Sequence, residues 1–188
     1  RWWTPSVTAT EGTATDLTYN GGTTITHTAN GAFDVEMPNL LMMKSVQVYS
    51  DPAGMCVCNA APKNTPHAIP GATLLYSVLV TNQGQGTVDA NSIRLADTLD
   101  THTSYVIGSA GFIDGSTTSG LTFNPAANVA YCTGVGGATC PYTSGVGAGN
   151  PDPAITKITF SPQGIFNGRA SPTASTPSFT IQYKVQLK

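Results

Sequence analysis

From Phe179 to Leu187 apolar and polar residues alternate without a break, with Phe179, Ile181, Tyr183, Val185 and Leu187 on one side and Thr180, Gln182, Lys184 and Gln186 on the other. A period of two puts every second side chain on one face of a β-strand, so this segment has one face to bury and one to keep wet. A strand needs neighbours, and the rest of the chain supplies them. Leu74, Tyr76, Val78 and Val80 share a face over 73–81, while Leu75 and Leu79 lie among polar residues on the other, the pattern of a central strand partly covered on both sides. Shorter strands are expected at 44–49, with Val46 and Val48 inward, and at 92–95, 104–107, 121–123, 129–132 and 155–160. Turn sequences separate them: Asp51-Pro52-Ala53-Gly54, Pro70-Gly71, Asn82-Gln83-Gly84, Asp114-Gly115, Asn150-Pro151-Asp152-Pro153 and Asn167-Gly168. No stretch of about a dozen residues sustains a helical period, so any helix is short. This cadence predicts an all-β chain whose residues 39–188 form an immunoglobulin-like antiparallel β-sandwich.

Residues 1–38 have a different texture. Thr, Ala and Gly dominate from Thr4 to Asn30, with single apolar side chains at Val7, Leu17, Tyr19 and Ile25; Phe33, Val35 and Met37 then alternate with Asp34 and Glu36 before Pro38. Such a segment can extend but has too few side chains for a core of its own. It must lie on its own domain or on a neighbouring molecule. Trp2 and Trp3 sharpen the point, because leaving an indole in water forgoes about 2 to 3 kcal/mol of burial per ring. Folding back and insertion into a partner are both open at this stage. The segment is expected to be extended, a candidate donor strand or source of extra strands, with Trp2, Trp3, Val7, Leu17, Tyr19 and Ile25 as its assembly contacts.

The central block carries a particular set of words: Ser50-Asp51-Pro52, Ala68-Ile69-Pro70-Gly71-Ala72, Tyr76-Ser77-Val78-Leu79-Val80-Thr81-Asn82-Gln83-Gly84 and Asp97-Thr98-Leu99. It resembles the conserved-repeat family of bacterial and archaeal surface proteins known as domain of unknown function 11, marked by a Pro-Gly turn, a strand with Tyr, Asn-x-Gly and a later Asp-x-Leu. The resemblance runs roughly from Leu40 onward, through Tyr105 to Ser109 and on over 153–188, and looks like a single-domain secreted member. Asp100 stands where the family usually has Pro. The resemblance implies an immunoglobulin-like sandwich at the cell surface and implies no reaction. Each hallmark also has a physical reading of its own. Pro70 fixes φ and Gly71 permits the turn that launches the next strand, Tyr76 supplies a large inward ring, and Asn82-Gln83-Gly84 closes the strand. Asp97 reads as an acceptor of backbone N–H groups at a turn, in preference to a calcium site shared with Asp100.

Charged residues are only 10% of the chain, so with 42 Thr and Ser the wet faces are built from hydroxyls and amides. A net charge of −2 and eight scattered Lys and Arg provide no cationic stripe, which excludes nucleic acid as a partner. No apolar run approaches the roughly 20 residues that span a bilayer. Catalytic groups are thinly supplied: Glu occurs only at Glu11 and Glu36, and His27, His67 and His102 are far apart. Asp97, Asp100 and His102 are the best local constellation, and a solvated loop explains them more simply than a catalytic site. No nucleophile elbow, zinc-binding helix, phosphate loop or dinucleotide fingerprint is present. The chain is therefore expected to be no enzyme and to carry no cofactor.

The four cysteines form two local pairs, an even count that suits disulfides in an oxidising compartment. Cys132 and Cys140 bracket a glycine-rich loop free to close and are expected to bond. For Cys56 and Cys58 a strained ring and a crossed pairing with the other two both stay open. Met55, Cys56, Cys58 and the nearby His67 are an alternative soft-metal set, ranked low because zinc spacing is missing.

Together these readings predict a secreted structural subunit of an extracellular filament or surface assembly, a homopolymer joined by strand exchange. The alternative is an adhesin that reads sugars or a host protein through loop aromatics such as Tyr131 and Tyr142.

Overall fold

The computed structural model describes residues 36–52 and 69–188, together with the backbone of two short strands near the N-terminus. Two compact units are present, Arg1–Glu36 and Met37–Lys188. In the first, β1 (Val7–Ala9) pairs antiparallel with β2 (Ala29–Gly31). The second holds β3 (Leu40–Ser50), β4 (Thr73–Asn82), β5 (Leu95–Thr98), β6 (Thr103–Val106), β7 (Gly111–Asp114), β8 (Leu121–Thr122), a one-turn helix α1 (Pro125–Asn128), β9 (Val129–Thr133), β10 (Thr139–Tyr142), β11 (Pro151–Asp152), β12 (Lys157–Phe160), β13 (Gln163–Gly164) and β14 (Ser178–Leu187).

The protein is all-β, and its antiparallel sheets pack face to face as a sandwich. One sheet runs β11-β6-β14-β4-β3, with β7 also paired to β14, and the other runs β10-β9-β12-β5. The alternating C-terminal strand β14 lies at the centre of the first sheet. On one side it pairs with β4 along nine residues; on the other it is shared by β6 near Val185 and by β7 near Ile181. Its inward row, Phe179, Ile181, Tyr183 and Val185, is fully buried. Tyr183 meets Phe160 of the opposite sheet at 5.2 Å between ring centroids and stacks on Tyr76 of β4 at 5.4 Å. Phe179 packs against Phe112 and Phe166. Burial of such rings is the main favourable term here, since about 1.5 to 3 kcal/mol attends each large apolar side chain removed from water.

Several local features depart from the sequence expectation, two of them at strand starts. The strand expected at 92–95 begins only at Leu95, because the preceding residues turn: Ser92 N–H donates to the Asp89 carbonyl and Asn91 takes a φ of 60°. The first-sheet edge strand begins at Leu40, four residues earlier than the expected 44.

A single buried amide explains that early start. Asn82, at the end of β4, is fully buried, and all four of its hydrogen-bonding positions are filled. Its Oδ1 accepts from the backbone N–H of Asn39 (3.0 Å) and of Gly84 (3.1 Å), and its Nδ2 donates to the carbonyls of Gly86 (2.8 Å) and Asn167 (3.0 Å). Gln83 N–H reaches the Asn39 carbonyl and Gly86 N–H the Met37 carbonyl. The chain at 37–39 thus lies directly on the Asn82-Gln83-Gly84 turn, which is why Met37 and Pro38, read from sequence with the N-terminal segment, fall in the second unit. The approach is so close that a Cβ on Gly84 would lie 2.1 Å from the Met37 carbonyl oxygen.

Asn82→Ala strands two backbone donors and two backbone carbonyls in a buried site. We expect it to lower stability by about 3 kcal/mol or more in urea unfolding followed by tyrosine fluorescence. A loss below about 1 kcal/mol would contradict the hub role assigned to this amide.

Candidate functional site

Most of the large exposed apolar side chains of the described surface that are adjacent in sequence lie at the start of the edge strand β3. Among the described strands it pairs only with β4, which makes it the edge of the first sheet as described. Register fixes which way its side chains point. Leu40, Met42, Lys44, Val46 and Val48 stand beside Asn82, Val80, Val78, Tyr76 and Leu74 on the face turned toward the second sheet, and Leu41, Met43, Ser45 and Gln47 point away.

The inward row changes character along the strand. Val46 is buried and Val48 half-buried, whereas Met42 is 62% and Leu40 46% exposed. The boundary is Lys44, which reaches across to β5 with its Nζ 2.8 Å from both carboxylate oxygens of Asp97. Beyond Lys44 neither face is covered: Leu41, Met43 and the preceding Met37 are also at least half exposed. No residue from Met37 to Met43 carries a charge. Natural edge strands are usually blunted by Lys, Pro or a bulge. Here the one lysine is held by Asp97, and the register shift comes only at the far end, between Val48 and Ser50. Roughly 1 kcal/mol per exposed Leu or Met is still to be gained from cover.

Asp97 therefore does not accept backbone N–H groups at a turn, the role the sequence favoured for it. It sits inside β5, where the Tyr183 hydroxyl donates to its Oδ2 and Lys44 binds both oxygens. Burial first, and then the Asp97 charge, push the Tyr183 phenol well above its ordinary value, so it stays protonated and donates. The Lys44 ammonium also lies 4.6 Å from the centroid of the Tyr76 ring.

Asp100 and His102 form a separate, solvent-exposed turn. Asp100 accepts from the His102 backbone N–H at 2.8 Å and lies 2.9 Å from its ring Nδ1. The backbone bond first, then the ring, hold the Asp100 carboxyl below its usual range. The sequence cluster Asp97, Asp100 and His102 is thus divided between a strand and a turn. No group of three or more His, Cys, Asp or Glu side chains able to hold a metal occurs among the described residues.

Tyr131 and Tyr142, expected as exposed loop aromatics, are instead half-buried on β9 and β10. Tyr131 packs on Tyr105 at 5.3 Å, and the Tyr142 hydroxyl donates to the buried Asp152 carboxylate at 3.2 Å. A groove of about 340 Å³ at the opposite end of the first sheet is lined by Tyr49, Val106, Ser109, Pro151, Lys184 and Gln186. Its aromatic ring is occupied, since Lys184 Nζ lies 3.5 Å from the Tyr49 centroid.

Of the assembly residues read from sequence, Val7 falls on β1; Trp2, Trp3, Leu17, Tyr19 and Ile25 lie outside the described residues. So do Met55, Cys56, Cys58 and His67. The β3 edge was missed as a site because its four leading apolar residues, Leu40 to Met43, have no alternation to read. No helix among the described residues is long and apolar enough to cross a membrane.

Cys132 and Cys140 are joined in a disulfide that closes the connection between β9 and β10, with Cα atoms 4.6 Å apart. For so short a loop the chain-entropy argument gives about 2 to 3 kcal/mol. Replacing both cysteines by Ser should lower stability by that amount in urea unfolding, and an unchanged midpoint would refute the assignment of a stabilising role. Compared with known proteins, the chain matches no family model, no curated protein and no solved structure.

Proposed function

We propose that this chain is a secreted structural subunit of an extracellular filament or surface assembly, and that subunits join when the N-terminal segment of one copy adds as a strand to the free β3 edge of the next. The observation that carries this reading is the uncharged, two-faced apolar start of β3, with the side away from β4 free among the described strands. Strand addition supplies the missing ladder and sets alternate donor side chains on the Leu40/Met42 face and the Leu41/Met43 face.

Three further facts support it. The second unit begins at Met37, whose carbonyl accepts from Gly86 N–H beside the Asn82 turn, and 36 residues precede that point. Extended, such a length reaches on the order of 100 Å, ample to span a neighbouring subunit. Among the described residues the first unit contributes strands, β1 and β2, three residues each, so the segment can adopt the extended form that strand addition needs. Low charge removes the repulsion that would keep copies apart. The resemblance to the conserved-repeat surface family and the Cys132–Cys140 disulfide fit an exported protein. Because the join is head-to-tail, it does not close on itself, and a filament follows. A glycan-binding module is the weaker reading, since the aromatic faces it needs are packed against Tyr105, Asp152 or Lys184.

The test uses the full chain. Wild-type protein should form filaments by electron microscopy, and Met42→Lys, which places a charge on the uncovered inward row, should raise the concentration needed for assembly at least about tenfold while leaving the circular dichroism unchanged. Wild-type protein that stays monomeric at high concentration, or a Met42→Lys variant that assembles like wild type, would sink the proposal.

A further inference from the structure

The link between Lys44 and Asp97 has an arrangement that an ordinary surface ion pair lacks. Its two residues come from opposite sheets, 53 positions apart in the chain, and Nζ is equidistant from the two carboxylate oxygens at 2.8 Å. The pair is partly withdrawn from water, with side chains 39% and 23% exposed. Around it stand the stacked rings of Tyr76 and Tyr183, the first under the ammonium and the second donating its hydroxyl to Asp97 Oδ2. An amine, a carboxyl group and a hydrogen-bond donor on the carboxyl oxygen thus meet at one point in a rigid frame. Those are the parts of an amide-forming site.

We propose that Lys44 and Asp97 condense spontaneously into an intramolecular amide that ties β3 to β5 across the sandwich, with Tyr183 as the group that activates the carboxyl. A proton passes from the ammonium to Oδ1, which leaves a neutral amine facing a neutral carboxylic acid. The Nζ lone pair attacks Cγ, and the Tyr183 hydroxyl stabilises the charge that develops on Oδ2. The bond from Cγ to Oδ1 then breaks, and Oδ1 departs as water, carrying two of the three original ammonium protons. The third remains on the amide nitrogen, and Oδ2 becomes the amide carbonyl oxygen. One C–N bond forms and one C–O bond breaks, nothing is oxidised or reduced, and the opposite charges cancel. No co-reactant is required. Holding the two groups in place supplies the effective concentration, on the order of 10⁵ M or more in well-oriented systems, that a free amine and acid lack in water.

The position gives the bond a mechanical meaning. Lys44 stands between the exposed stretch that ends at Leu40 and the buried Val46, so a covalent tie there anchors the edge strand to the opposite sheet where it would otherwise begin to peel. This does not depend on what, if anything, adds to that edge.

Intact mass spectrometry of the full-length protein, denatured and fully reduced, decides the matter. We expect a mass lower than that of the sequence by one water, and after proteolysis a branched peptide in which the Lys44 and Asp97 segments are joined. Lys44→Arg preserves the ion pair but not the amine chemistry, and should return the full sequence mass. Tyr183→Phe should slow conversion at least tenfold in a time course from freshly refolded protein. Wild-type protein at full sequence mass, with the two peptides separate, would leave Lys44 and Asp97 as an ion pair and overturn the proposal. So would a Lys44→Arg variant that still lacks one water.

Discussion

The fully buried carboxamide of Asn82 is the constraint on which the rest of the sandwich depends. An amide out of water must have its two donors and two acceptor sites matched or it opposes folding. The match at Asn82 is made with backbone groups from three separated stretches, at 39, at 84–86 and at 167. Once that is so, the path of the chain before β3 has no freedom: residues 37–39 must run over the Gly84 turn, and β3 must begin at Leu40 beside Asn82. Gly84 is the complement of this choice. Any side chain there would occupy the space taken by the Met37 carbonyl, so the turn and the strand entry are specified together.

From that entry point the exposed apolar edge follows. β3 starts at the level of Asn82, at the end of β4, and it reaches the opposite sheet through Lys44, which binds Asp97 of β5. The first residues of β3 lie before that contact and are exposed, and they are Leu and Met where an unpartnered strand would ordinarily carry charge. The same geometry sets the contrast between Val46, which is buried, and Met42, which occupies the same face two pairs away and is not.

Much of this was legible in the sequence wherever a strand is wet on one face. β14 and β4 announce themselves by alternation because their inward residues pack on a sheet and their outward residues meet water. Val46 and Val48 could be assigned inward for the same reason. The failures have a common cause in partners distant along the chain. Asp97 looked like a turn acceptor since nothing nearby in sequence could pair with it; its lysine is 53 residues away and its phenol 86. Tyr131, on the strand expected at 129–132, and Tyr142 read as exposed aromatics in the sequence, yet the sheet pairing of β9 with β12 and β10 turns them onto Tyr105 and Asp152. Leu40 to Met43 gave no signal of strand because four successive apolar residues have no period of two, and the strand there is set by pairing with β4. The small strands β7, β10, β11 and β13 are not expected from sequence; β10, β11 and β13 carry Pro or Gly within them, which reads as turn.

An open edge on a low-charge protein invites indiscriminate pairing as readily as ordered assembly, and the distribution of features along β3 bears on which of the two follows. Only the Leu40 end is bare. Past Lys44 the strand turns polar on its outward face with Ser45 and Gln47, its register shifts between Val48 and Ser50, and Tyr49 is capped by the Lys184 ammonium. A bulge and a fixed cation at one end disfavour two β3 edges lying antiparallel along their full lengths, because each apolar end would then meet the other's interrupted end. An incoming strand of different sequence meets no such conflict if its apolar residues fall opposite Leu40 to Met43. The asymmetry of the edge thus disfavours symmetric pairing of like edges, and the assembly proposed above requires a heterologous contact of that kind.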